Sequence, residues 1–303
     1  MGKTKLTRRQ FVSTITVGTG TVLLGKVVLA SSPGPEYVSD PLKVITLGKS
    51  GLKTSLLGMG TGFSGYNCCS NITRAGIAES LIRQAYEKGI RYFDCADSYG
   101  THTFTSNALK GFSRESYTLG TKIWVSQGGL PEPERPGADV VVDRFRKELN
   151  TDYLDLVQIH CMTDARWTDR EKKQMDILED LKAKKVILAH GVSVHSLEAM
   201  EACVGNPWVD IIHVRINPYG EAMDKNDPAQ VTPVIEKLHR EGKGIIGMKL
   251  AGAGKFKNEP EKIDESLKYV LGLGTVDMVI IGFELPEQID NYISGVRKAV
   301  KLL

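Results

Sequence analysis

Three apolar runs in the middle of this chain each close on an ionisable residue, and a tyrosine follows the first. Run 90–94 ends in Asp94, with Tyr99 five residues on. Run 117–122 ends in Lys122, and run 153–160 ends in His160. Together these types suit carbonyl reduction. Hydride arriving at a carbonyl carbon leaves negative charge on oxygen, so a proton donor and a hydrogen-bond donor must converge there. Tyr99 offers the proton, but a free phenol with a pKa of ~10 is a weak acid at neutral pH. An ammonium beside it would lower that value, and Lys122 carries one. Asp94 would hold Lys122 charged and in place, and His160 would polarise and aim the carbonyl. Taken singly, each has a plainer reading: Asp94 as a turn cap, Tyr99 as packing, Lys122 as a solvent-reaching side chain, His160 as a satisfied core histidine. Convergence at consecutive strand ends favours the site over all four.

The elements that must carry these residues alternate without a break. Strand-like runs fall at 55–59, 90–94, 117–122, 153–160, 186–194, 209–216, 244–250 and 276–282, each followed by a helical pattern. Ile77, Leu81 and Ala85 share one helical face, and Ile289, Ile293, Val296 and Val300 share another. Thr232-Pro233 reads as an N-cap followed by proline at the first helical position, in a helix that stops at Gly242. Buried-type strands alternating with helices predict a parallel sheet covered by helices. A doubly wound sheet would also alternate, but no G-x-G-x-x-G follows the first strand; Gly58-Met59-Gly60-Thr61-Gly62 lacks the spacing. Eight units in about 250 residues predict an α/β fold of the (β/α)8 TIM barrel kind, with active residues at the carboxyl ends of the strands. Two short runs at 43–47 and 52–57, flanking Gly48-Lys49-Ser50-Gly51, predict an N-terminal β-hairpin that plugs the opposite mouth.

Residues 1–30 read separately. They hold Lys3, Lys5, Arg8, Arg9 and Lys26 and no acid. A charged head, a diluted apolar middle and a small-residue end at Ala30 make a signal peptide, and Arg8-Arg9 with Phe11 resembles a twin-arginine export signal. The segment is too polar for a stable membrane span. Residues 31–41 read as a linker and 42–303 as the barrel. Without the leading charges, 34 basic residues face 36 acidic ones, which gives no reason to expect nucleic acid as a partner. The five cysteines include no C-x-x-C and no disulfide framework. The expected location is therefore the periplasm, reached through the export machinery.

Four stretches resemble the aldo-keto reductase family, in the family's order and across about residues 42–300: Gly89-Ile-Arg-Tyr-Phe-Asp94-Cys-Ala-Asp-Ser-Tyr99-Gly100, Gly120-Thr-Lys122, Tyr153-Leu-Asp-Leu-Val-Gln-Ile-His160 and Gly191-Val-Ser193. The resemblance implies NADP or NAD across the barrel rim and a small carbonyl or alcohol substrate. It implies Tyr99 as acid, supported by Asp94, Lys122 and His160, with no metal. It also implies cofactor contacts at Ser193, His213, Met248, Lys249, Gly252, Gly254 and Gln288, the glycines facing the diphosphate through backbone N–H groups. Several positions depart from the family's pattern. Val194 stands where asparagine is usual, His213 where glutamine is frequent, and Met248 where an aromatic ring stacks on the nicotinamide. Gln288, with Glu284 nearby, replaces an arginine that grips the 2′-phosphate, and Lys255 is the candidate substitute cation.

These departures motivate a rival reading, a nicotinamide-binding barrel with a sensor or accessory role and little turnover. A metal hydrolase built on His160, His190, His195 and His213 fits less well, because no carboxylate recurs at ligand spacing. The export reading has its own test. Replacing Arg8 and Arg9 with lysine is expected to hold the protein in the cytoplasm with its leader attached. Normal amounts of this double variant in the periplasmic fraction would contradict it.

Overall fold

Strand and helix alternate along the chain because continuously buried apolar runs are separated by amphipathic segments, and the arrangement closes on itself. The computed structural model describes Asp40 and residues 42–301. The leader 1–30 and all of the 31–41 linker except Asp40 lie outside the described residues. The strands are β1 Val44–Thr46, β2 Lys53–Ser55, β3 Leu57–Gly60, β4 Tyr92–Asp94, β5 Thr118–Ile123, β6 Leu154–Met162, β7 Ile187–Val194, β8 Ile211–Arg215, β9 Gly244–Met248 and β10 Met278–Gly282. The helices are α1 Asn71–Arg74, α2 Ala78–Glu87, α3 His102–Leu109, α4 Ala138–Leu149, α5 Trp167–Arg170, α6 Lys172–Ala183, α7 Leu197–Glu201, α8 Pro228–Arg240, α9 Pro260–Gly272 and α10 Pro286–Lys301. Strands β3 to β10 pair in parallel and in sequence order, and β10 returns to β3 to close the barrel. The fold is a (β/α)8 barrel.

β1 and β2 form the antiparallel hairpin. Leu47 and Leu52 from its turn are buried with Tyr92, Leu156, Ala189, Ile211, Ile246 and Met278, which face the barrel interior. The Lys49 N–H donates to the Gly242 carbonyl at 2.8 Å, just ahead of β9. The hairpin therefore seals the mouth at the amino ends of the strands and leaves the carboxyl ends open. The outer layer packs as the helical stripes require. Leu81, Ile82 and Ala85 of α2 are buried, as are Ile289, Ile293, Val296 and Val300 of α10. Among the described residues, no helix is long and apolar enough to cross a membrane.

Two local expectations are corrected. Helix α8 starts at Pro228, with the Asp227 side chain accepting the Ala229 N–H at 2.9 Å, and Pro233 sits inside it. Asp227-Pro228 outcompetes Thr232-Pro233 because an aspartate cap before a proline already satisfies the first turn. Pro233 then costs a single intrahelical bond. The first barrel strand is Leu57–Gly60, because Ser55 still belongs to the hairpin, paired with Val44.

At Gly191 of β7 the neighbouring strand leaves no room for a side chain: a Cβ would stand 1.8 Å from the Ile211 carbonyl oxygen. That atom is backbone of β8 and cannot yield without breaking the ladder. Gly191→Ala is therefore expected to cost ~3 kcal/mol or more by urea unfolding. A change below ~0.5 kcal/mol, the range of an ordinary surface substitution, would contradict this packing.

Candidate active site

Adjacent strand ends bring the ionisable residues together. Asp94 is the last residue of β4 and pairs in register with Gly120 of β5, so Lys122, two residues on, projects from the same face. The Lys122 ammonium donates to Asp94 Oδ2 at 2.6 Å and to the Cys95 carbonyl at 3.0 Å. Both residues are buried, at 2% and 3% exposure. At that depth neither charge is tenable without the other. Burial alone would push the Asp94 carboxyl up, but Lys122 and His213 outweigh it and hold it at about 2.

Tyr99 closes the single 3₁₀ turn Asp97–Tyr99 that follows β4, and Gly100 leaves that turn in the left-handed region at φ 65°. Its hydroxyl stands 3.4 Å from His160 Nε2 on β6, with the two rings edge to face. The Lys122 ammonium lies 5.4 Å from the centre of the Tyr99 ring. The expected lowering of the phenol does not occur. Burial pushes Tyr99 well above the ordinary phenol range, and the Asp94 carboxylate adds to this. Lys122 spends its hydrogen bonds on Asp94 and a carbonyl instead. His160 moves the other way: burial, then the Lys122 charge, hold it well below the usual imidazole range, so it is neutral at working pH.

These groups line an open cleft at the carboxyl end of the barrel. From Tyr99, Lys122 and His160 the cleft runs past Ser193, Met248 and Lys249, over Ala251, Ala253 and Gly254, to Gln288 and Tyr292. Two of the sequence-derived cofactor residues are placed elsewhere. His213 is wholly buried beneath the cleft, with Nε2 3.1 Å from Asp94 Oδ1, so it serves the carboxylate. Gly252 is buried against the Phe256 ring. The Gly252 and Gly254 N–H groups also close turns onto the Lys249 and Ala251 carbonyls, each at 2.9 Å. Gln288 Oε1 accepts the Glu284 and Leu285 N–H groups at the start of α10. Lys255 pairs with Glu221 at 2.7 Å, while Lys257 lines the cleft. The histidines expected of a metal hydrolase separate: His190 meets Glu179 at 2.9 Å and stacks on Trp208. Among the described residues, no three potential ligands gather as a metal site.

Three site residues escaped sequence reasoning. Trp124 lies edge-on to His160 at 5.2 Å. Its position two residues after Lys122 was the available signal. Gly62 and Gly65 face Tyr99, where a Cβ would stand 2.2 and 2.4 Å from the ring. The glycine-rich run that fails as a dinucleotide fingerprint thus makes room for the tyrosine.

The aldo/keto reductase family model matches residues 57–267, more than half of the chain. The chain belongs to the aldo-keto reductase family. It is 31% identical over 155 residues to "Uncharacterized oxidoreductase YqkF" of Bacillus subtilis, covering 48% of this chain and 47% of that protein. It is 26% identical over 170 residues to "Aldo-keto reductase YhdN" of the same organism, covering 53% and 49%. The chain thus spans about half the length of these curated relatives. The solved aldo-keto reductase AKR11C1 from Bacillus halodurans shares the fold, with a TM-score of 0.67 at 21% identity over 86% of this chain and 95% of that one. Aldo-keto reductases use NADP or NAD.

Because Asp94 is held at about 2, against ~3.9 unfolded, its pairing stabilises the fold fully above about pH 4 and is lost as pH falls through about 2. Asp94→Asn is therefore expected to lose roughly 3–5 kcal/mol at pH 6 by urea unfolding. The gap to wild type should narrow by ~2 kcal/mol towards the acid limit. A gap that stays constant down to pH 2 would contradict the assignment.

Proposed function

We propose that this protein is an NAD(P)-dependent carbonyl reductase, interconverting an aldehyde or ketone and its alcohol, with Tyr99 as the proton donor. The observation that carries the reading is the meeting of Tyr99 Oη and His160 Nε2 at 3.4 Å beside a buried Asp94–Lys122 pair, at the inner end of the cleft. A carbonyl oxygen in the cleft at ~2.8 Å from each of those atoms, forming a triangle with them, could accept a hydrogen bond from both. The raised pKa keeps the phenol protonated through neutral pH, as a donor requires. The neutral imidazole polarises the carbonyl without competing as an acid. Negative charge growing on the oxygen draws the Tyr99 proton across.

The cleft fits a dinucleotide because it is long and carries Lys249 part-way along, a half-buried lysine for which no ion pair is formed among the described residues. When bound, the nicotinamide supplies the hydride. Ser193 and Met248 would flank the nicotinamide, Lys249 and the 250–254 loop the diphosphate, and Gln288 the adenosine. Gln288 has no charge to offer a 2′-phosphate, and its carbonyl oxygen is already committed to the α10 cap. Lys257 is an exposed cation at best, so discrimination between the two cofactors should be weak. Export through the twin-arginine route belongs to the same proposal, supported by the order of features in residues 1–30.

Tyr99→Phe is expected to bind NADH and NADPH like the wild type, each within threefold. It should reduce a generic aldehyde roughly 10²–10⁴-fold more slowly. Fluorescence titration and steady-state rates check this. Wild-type turnover by the variant would sink the donor assignment, and equally negligible turnover by both proteins would favour the sensor reading.

A further inference from the structure

Behind the turn that carries Tyr99 runs a chain of polar contacts that no step of the reaction uses. Arg144 of α4 donates to Asp97 Oδ1 at 2.8 Å and to Glu148 Oε1 at 3.0 Å. The other Glu148 oxygen meets His102 Nδ1 at 2.6 Å, and His102 Nε2 meets Thr121 Oγ1 at 2.8 Å. Asp97 lies two residues before Tyr99, in the same turn, and Thr121 lies one residue before Lys122, in the same strand. The contacts therefore link the element holding the proton donor to the element holding the ammonium, by way of α4 and the first residue of α3. Asp97, His102 and Thr121 are buried, while Arg144 and Glu148 reach solvent, so each bond has at least one partner out of water except the Arg144–Glu148 pair.

The opposite side of the turn is held differently. The Cys68 carbonyl oxygen stands 1.9 Å from where a Cβ of Gly100 would be, and Gly62 and Gly65 lie against the Tyr99 ring. Such contacts press on the turn but do not aim it, because a ring can slide across a flat backbone surface. Cys68 Sγ donates a long, weak bond to the Asp97 carbonyl at 3.7 Å, whereas the Asp97 carboxylate is gripped by Arg144 through a short charge-assisted bond, the stronger constraint on orientation.

We propose that Asp97, Arg144, Glu148 and His102 are positioning residues that hold the Tyr99 hydroxyl at its working distance from His160 and Lys122. The inference rests on the reading of Tyr99 as proton donor. A misplacement of ~1 Å at a reacting group costs on the order of 10²-fold in rate, so loosening the turn should slow chemistry while leaving the cofactor cleft intact.

The test compares Asp97→Ala, Asp97→Asn, Arg144→Met and the double variant Asp97→Ala/Arg144→Met, using 4-nitrobenzaldehyde with NADH and 4-deuterated NADH. Lys182→Ala, which breaks the Lys182–Asp210 pair on another face, is the stability control. Both Asp97→Ala and Arg144→Met should lower kcat roughly 10–100-fold, with NADH affinity within twofold of wild type and a larger deuterium isotope effect on kcat. The double variant should be no slower than the slower single variant, and Asp97→Asn, which keeps an acceptor for Arg144, should recover most of the rate. Lys182→Ala should melt earlier with kcat unchanged. Arg144 is partly exposed, so its variant answers the question even if Asp97→Ala fails to fold. The inference is overturned if Arg144→Met turns over like Lys182→Ala, if the single losses multiply in the double variant, or if kcat and NADH affinity fall in parallel. Inactive Tyr99→Phe with a fully active Arg144→Met overturns this inference alone. Fully active Tyr99→Phe overturns the functional reading with it.

Discussion

Moving a lysine and an aspartate out of water and into the centre of a barrel costs several kcal/mol per ion, and each is tolerable only because the other lies 2.6 Å away. The parallel register of β4 and β5 enforces that distance, placing Asp94 opposite Gly120 and Lys122 on the same face two residues later. Neighbouring groups then take their states from this pair. The Asp94 carboxylate adds to the burial that keeps Tyr99 protonated, and the Lys122 ammonium adds to the burial that keeps His160 neutral. His213, from β8, braces the second Asp94 oxygen from below. The Asp94 backbone is secured too, since the Thr61 hydroxyl donates to its carbonyl at 2.8 Å.

A site arranged in this way presents hydrogen-bond donors to the cleft at neutral pH and almost no net charge near the reacting centre. That suits a reaction in which charge appears only transiently on a substrate oxygen: the donors are already oriented, and little reorganisation is needed when the charge arrives. Further along the cleft the character changes. Met248, Gln288 and the self-bonded Gly252–Gly254 turn make a less specialised surface, with Lys249 and Lys257 as its cations.

The barrel and the four residues of the cluster, the pair with Tyr99 and His160, were legible because apolar runs and their ends are local properties. Asp94, Lys122 and His160 terminate apolar runs, and a barrel has one open end at which to collect them. What sequence could not show were directions and environments. Whether Lys122 lowers the Tyr99 pKa depends on where its hydrogen bonds go, and they go to Asp94 and the Cys95 carbonyl. His213 was assigned to the cofactor by alignment, yet its strand turns it inward towards Asp94. Lys255 and Lys257 differ by two residues along a loop whose course is set by Ala253 and Gly254, both at positive φ, and only the second reaches the cleft. Pro233 failed as a helix start because a better cap lay five residues upstream. For Lys122 and His213 a tertiary contact overrode a sound local rule; for Lys257 and Pro233 a stronger local feature did.

The central claim is that a hydride passes from a nicotinamide to a carbonyl carbon beside Tyr99. Following a label tests it most directly. The purified protein, given NADH or NADPH deuterated at C4 of the nicotinamide and an aromatic aldehyde, should yield an alcohol carrying one deuterium at the former carbonyl carbon, delivered from one face of the ring only. Mass spectrometry of the product, with each C4 epimer of the cofactor used in turn, reads this out. Alcohol formed without deuterium from either epimer, or no alcohol at all under conditions that saturate the cofactor, would contradict the account.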